Sequence, residues 1–206
     1  MVPIPSILFE NISFAFENEQ IVTDFSFEAT AGQHTLLQGE SGSGKSTLLK
    51  LLLGFYKPQK GSISINGEKF NAQKLRKETA WLPQDLKLGS GTVEEVISKP
   101  FEFAANTSSP KEKQNYIAIL KELGLSSDIL QKEFRDLSTG QRQRVGLALC
   151  HLLDKPLLLL DEPTSALDKA SKQKAASLLL TNNRTVISTS HDPFWVKKAD
   201  NIIALS

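Results

Sequence analysis

The chain has 206 residues, 40% of them hydrophobic and 23% charged, enough for the core of one large domain or two small lobes and too apolar for a disordered polymer. The formal net charge is +1, so no global basic field points to nucleic acid as a partner. Cys150 is the only cysteine; no internal disulfide can form, and its apolar neighbours mark a packed thiol. The N-terminal Met-Val-Pro-Ile-Pro lacks the pattern of a secretory signal and no apolar run approaches bilayer length, so a cytosolic chain is expected.

Taken in chain order, residues 7–16 and 21–29 alternate apolar and polar side chains and predict two strands with a polar turn at 17–20. Residues 34–38 predict a short apolar strand, and 46–53 a buried helix ended near Gly54. Between them lie Gly39, Glu40, Ser41, Gly42, Ser43, Gly44, Lys45 and Ser46, followed by Thr47: strand, P-loop, helix. A polyphosphate needs donors at close range, and such a loop offers backbone N–H groups with few side chains in the way. Lys45 supplies positive charge for the outer phosphates and Ser46 a magnesium ligand. The helix start adds its positive dipole end. The rival dinucleotide fingerprint fails, because Thr47 stands where its third glycine belongs.

Residues 57–61 break the chain, 62–67 predict a strand entering a turn at Asn66 and Gly67, and 79–83 another short strand. From 92 to 153 the pattern is helical. Residues 111–123 place Tyr116, Ile117, Ile119, Leu120 and Leu123 at helical spacing, with Gly124 as C-cap. Four leucines at 157–160 fit a central strand buried on both faces. Asp161 emerges at its end, where a magnesium carboxylate belongs. Glu162 is expected on the opposite side by strand alternation, which makes it the candidate base for an attacking water. A helix from about 167 and strands at 185–189 and 202–205 complete the prediction.

With these residues in place, the chain resembles the ATP-binding cassette (ABC) ATPases from about residue 7 to 205. Leu137, Ser138, Thr139, Gly140 and Gln141 look like the family signature, usually Leu-Ser-Gly-Gly-Gln. Gln84 stands at the glutamine-loop position, Ser165 to Asp168 looks like the loop that crosses between subunits, and His191 looks like the switch histidine. Phe16 sits where the family places an aromatic against adenine; core packing competes as its role. The resemblance implies an α/β fold with a P-loop NTPase core on a mixed or parallel sheet, an N-terminal antiparallel β subdomain and an inserted α-helical subdomain. The expected division is 1–91 and 154–206 for the nucleotide-binding core, and 92–153 for the helical signature subdomain.

The same resemblance implies ATP and Mg2+ as cofactors, with Ser46, Gln84 and Asp161 around the metal and Glu162, His191 and Gln84 in catalysis. Ser138, Thr139, Gly140, Gln141 and Asp168 would meet the nucleotide of a second copy in an ATP-dependent head-to-tail dimer. Thr139 departs from the usual glycine; a β-branched residue resists positive φ and adds bulk, so weaker or slower closure is expected. The leading functional expectation is the ATPase subunit of a membrane transporter of the compact, exporter-like type. It would sit peripherally on the cytoplasmic face of the inner or plasma membrane and drive a permease on a separate chain; that permease chooses the cargo, which the sequence leaves open, and compact members of this type include metal and small-molecule exporters. Leu86, Leu88, Phe101 and Phe103 can line a groove for that permease or simply pack the helical lobe. The alternative is a soluble scaffold or assembly ATPase of the same family, of the iron–sulfur or cell-division kind.

Overall fold

The computed structural model describes residues 4–106 and 112–205. Two sheets organise the chain. The first is antiparallel, built from β1 (Ile7–Phe16), β2 (Glu19–Ala29), β4 (Lys60–Ile65) and the short β5 (Glu68–Lys69), in the order β2-β1-β4-β5. Asn66 and Gly67 turn the chain between β4 and β5 with φ of 52° and 75°, the geometry that Asn-Gly tolerates in a tight hairpin. The second sheet holds β3 (His34–Gly39), β6 (Thr79–Leu82), β7 (Leu157–Asp161), β8 (Thr185–Thr189) and β9 (Asn201–Leu205). Its order is β6-β7-β8-β3-β9 and every pair in it is parallel.

Strand alternation splits β7 between two apolar cores. Leu157 and Leu159 join a cluster with Leu37, Ile187, the antiparallel sheet and the helix α1 (Lys45–Leu52). Leu158 and Leu160 join a second cluster with Leu36, Val186 and the helices of the other face. All four leucines are fully buried, and each contributes about 1.5–3 kcal/mol relative to exposure. The helices on that face are α3 (Val93–Ser98), α4 (Lys113–Glu122), α5 (Thr139–Leu152), α6 (Lys169–Leu179) and the short α7 (Pro193–Val196); α2 (Ala72–Lys77) precedes β6. The helical stretch between β6 and β7 therefore shares its core with the parallel sheet. Lys111, where the α4 prediction began, lies outside the described residues. Leu86, Leu88 and Phe101 pack against this core, whereas Phe103 is exposed.

Cys150 is buried, and desolvation pushes its thiol up to about 12, as befits a packed side chain. His34 is a structural knot. Its ring bridges the Lys198 carbonyl (Nδ1, 3.1 Å) and the Ser188 hydroxyl (Nε2, 2.7 Å), and the Trp195 indole N–H donates to the same hydroxyl at 3.0 Å. A carbonyl only accepts, so Nδ1 carries the proton and Nε2 accepts: a neutral imidazole. Burial lowers its pKa, against smaller opposing effects of the Lys198 bond and the Asp200 charge. His151, partly buried, is lowered by the same cause.

A depressed histidine is protonated first in the unfolded chain. As pH falls from about 6.5 toward the lowered folded value, the unfolded state binds more protons and stability drops. Melting temperature should thus fall between pH 7.5 and 5.5, and His34→Asn, which has no proton to take up, should flatten that slope. An unchanged slope would locate the acid sensitivity elsewhere.

Candidate nucleotide site

The parallel sheet brings the predicted residues to one edge. Gly39 ends β3, Asp161 ends β7, His191 follows β8 by two residues, and Gln84 follows β6 by two. These strands run in parallel, so their carboxyl ends share one rim, where open α/β sheets bind ligands. A cleft of about 400 Å³ lies on that rim, lined by Ile21, Ser41, Gly42, Gly44, Lys45, Ser46, Thr47, Gln84, Asp161, Glu162, Ser165, Thr189 and His191.

The loop is shaped by its glycines where it must curl. Gly44 has φ 93°, and a Cβ there would come within 2.9 Å of Val22 Cγ2; Gly42 has φ 87° and faces open space. Gly44 caps α1 with no side-chain acceptor, as Glu112 does α4, whereas α2, α3, α5, α6 and α7 are capped by Asn71, Thr92, Ser138, Asp168 and Asp192. The first N–H groups of α1 are left for an anion. Lys45 is 8% exposed, and its ammonium donates to the carbonyls of Gly39 (2.7 Å) and Glu40 (2.6 Å). An ammonium has three protons, so one remains for a ligand. Glu40 takes part through its carbonyl, and Ser43 stands behind the loop with its hydroxyl toward Gly39.

Glu162 departs from the expected orientation. The strand ends at Asp161, and Glu162 takes φ 50°, which breaks the alternation and turns its carboxylate into the same cleft as Asp161. Glu162 Oε1 lies 3.7 Å from His191 Nε2. The peptide after β7 is held from three sides. Gln143 of α5 donates to the carbonyls of Glu162 (3.3 Å) and Pro163 (2.8 Å), and Ser165 donates to that of Glu162 (3.2 Å). Thr164 donates to Asp192, which also pairs with Lys172 at 2.8 Å.

Other predicted residues stand apart from this cleft. Phe16 is 40% exposed and packs edge-on against Phe14 and Tyr56 with centroids 4.9 and 5.0 Å away. Ser138 and Gln141 form a reciprocal capping box at the start of α5. Thr139 is the first residue inside that helix, so it needs no positive φ, and the backbone part of the objection to it falls away. Gly140 packs where a Cβ would lie 2.8 Å from the Ala166 carbonyl, so the start of α5 touches the loop before α6. Asp168 caps α6 by accepting from Ser171 N (2.9 Å) and Ser171 Oγ (2.9 Å), and these bonds lower its pKa. Sequence reasoning missed Ile21, Ser165 and Thr189 as cleft residues. Only the position of Thr189 at the end of the predicted strand 185–189, two residues before His191, signalled it.

Fold and rim together define a P-loop nucleotide-binding domain. The family model described as ABC transporter matches residues 22–165, and the chain belongs to that family. It is 35% identical over 95% of its length to a probable ABC transporter ATP-binding/permease protein of Haemophilus influenzae, of which it covers 37%. It is 36% identical over 98% of its length to ATP-dependent lipid A-core flippase 2 of Colwellia psychrerythraea, covering 36% of that protein. A solved bacterial Atm1-family ABC exporter with ATP bound superposes on all of this chain with a TM-score of 0.88 at 30% identity, and 38% of that chain is covered. This chain thus spans about a third of those relatives, and it has the fold of the family's ATPase domain. Among the described residues no helix is long and apolar enough to cross a membrane.

Proposed function

We propose that this chain binds and hydrolyses ATP as the nucleotide-binding part of an ABC exporter. The observation that carries the reading is the meeting of Lys45, Gln84, Asp161, Glu162 and His191 with the bare start of α1 around one cleft. Phosphoryl transfer asks mainly for positioning and charge stabilisation. The loop N–H groups and Lys45 hold the β- and γ-phosphates. Glu162 takes the proton of the attacking water, and His191 holds the γ-phosphate end of the site. Phe16 stacks on adenine, a contact of about 1–3 kcal/mol by comparison with base stacking elsewhere.

Ser46, Gln84 and Asp161 present only oxygen donors, the set a hard cation takes. No group of three or more His, Cys, Asp or Glu among the described residues makes a closed metal cage. That fits Mg2+, which is bound by one or two carboxylates together with substrate phosphates. The ion, when bound, neutralises charge that builds on the phosphates.

The signature residues Ser138, Thr139, Gly140 and Gln141, with Asp168, stand away from the cleft of their own chain. Two copies, head to tail, would place the start of each α5 over the other's nucleotide. Transmembrane domains on the membrane side are the second partner. The expectation of a separate permease chain has its rival in the fused arrangement that the name of the Haemophilus relative describes; residues 1–91 and 154–206 form the nucleotide-binding core and 92–153 the helical signature subdomain. The exporter and flippase names of the relatives support export over the scaffold alternative; cargo follows from the permease. The test is hydrolysis by the purified chain in Mg2+ and in chelator, with mass measured by light scattering at each condition. Turnover only with Mg2+, and a doubling of mass on ATP when turnover is blocked, are expected. Hydrolysis indifferent to Mg2+ would refute the reading.

A further inference from the structure

The two acids at the end of β7 share one buried hydroxyl. Thr189 ends β8, is 0% exposed, and stands beside Asp161 in the parallel register. Its Oγ1–H donates to Asp161 Oδ1 at 2.7 Å, and the same oxygen accepts from the Glu162 N–H at 3.0 Å. That N–H also faces the Thr189 carbonyl at 3.2 Å. A hydroxyl has one proton and two lone pairs, so both bonds form together: donor to the carboxylate, acceptor from the peptide.

The strand itself does not require this hydroxyl. Valine has the same branched shape and suits a buried strand as well as threonine. What a valine lacks is the bond that fixes the rotamer of Asp161 and one of the two made by the N–H of Glu162, whose φ of 50° is a conformation a non-glycine residue seldom adopts. We propose that Thr189 is a positioning residue for the cleft: through one oxygen it aims the Asp161 carboxylate at the cation and sets the backbone from which the Glu162 carboxylate reaches the water. The proposal rests on the reading of Asp161 as a metal carboxylate and Glu162 as the base.

The experiment compares Thr189→Val, Thr189→Ser and Asp161→Asn in the whole chain. ATP affinity is measured in chelator and as Mg2+ is added, alongside steady-state turnover and melting temperature. Residues that orient a metal ligand typically cost about 10- to 100-fold in metal affinity or activity when changed. Thr189→Val should raise the Mg2+ half-saturation of nucleotide binding and lower kcat within that range. Its ATP affinity in chelator and its folded state should be unchanged. Thr189→Ser, which keeps the hydroxyl, should restore both readouts to near wild type. Wild-type metal dependence and kcat in Thr189→Val would overturn the proposal, as would a loss in Thr189→Ser equal to that in Thr189→Val. The reading beneath it fails separately, if Asp161→Asn binds and uses Mg2+ as the wild type does.

Discussion

Glu162→Gln is expected to lower turnover of Mg-ATP by about 10²- to 10⁴-fold, the usual contribution of a positioned general base, while ATP still binds. The substitution keeps shape and removes only the capacity to take a proton. Nothing in its backbone setting should move. The Glu162 N–H bonds to Thr189, and its carbonyl is held by Gln143 and Ser165. The side chain is partly buried in the cleft with Oε1 3.7 Å from His191 Nε2, too far for a tight bond. With binding intact and hydrolysis blocked, the ATP-bound pair of copies should accumulate. Light scattering at saturating Mg-ATP would then give twice the monomer mass, reverting when ATP is removed. A variant that stays monomeric and hydrolyses at the wild-type rate would remove Glu162 from the chemistry and the dimer from the mechanism.

Much of this site was legible because its parts are local. Residues 39–46 declare a strand-to-helix loop by their glycines, and four leucines before Asp161 declare a central strand whose end must lie at the sheet's rim. What local pattern does not carry is the conformation of single residues at the ends of elements. Alternation placed Glu162 on the far side, and a positive φ, sustained by hydrogen bonds from β8 and α5, turned it back. Thr139 replaces the usual glycine, and the expected conflict with a positive φ does not arise because it is the first residue inside α5. The bonds that Thr189 and Gln143 make were not legible, because both act on residues about 20 to 30 positions away in sequence, through contacts that only tertiary packing creates. The two-sheet arrangement was foreseen as classes of strand, but the order β6-β7-β8-β3-β9, which brings Gln84, Asp161, His191 and Gly39 to one rim, comes from chain crossings that periodicity does not encode.

Lys45→Ala should abolish hydrolysis and weaken ATP binding by at least about 10- to 100-fold, the range given by 1.5–3 kcal/mol for a hydrogen bond to a charged group. Its ammonium does two things at once. Two of its protons clamp the carbonyls of Gly39 and Glu40, which pulls the entry of the loop closed, and the third is free for phosphate. Alanine removes the charge and the clamp together, so the loss should exceed that of one contact. Stability should change little, because Ser41 and Gly42 are exposed and water can reach the loop. Lys45→Arg keeps the charge yet should not rescue: a planar guanidinium cannot enter the space of a compact ammonium that is 8% exposed. Titration with a fluorescent ATP analogue, with melting curves as the folding control, gives both answers. Wild-type affinity in Lys45→Ala would mean that the nucleotide lies elsewhere, and the rim at the carboxyl ends of β3, β7 and β8 would lose its claim to be the site.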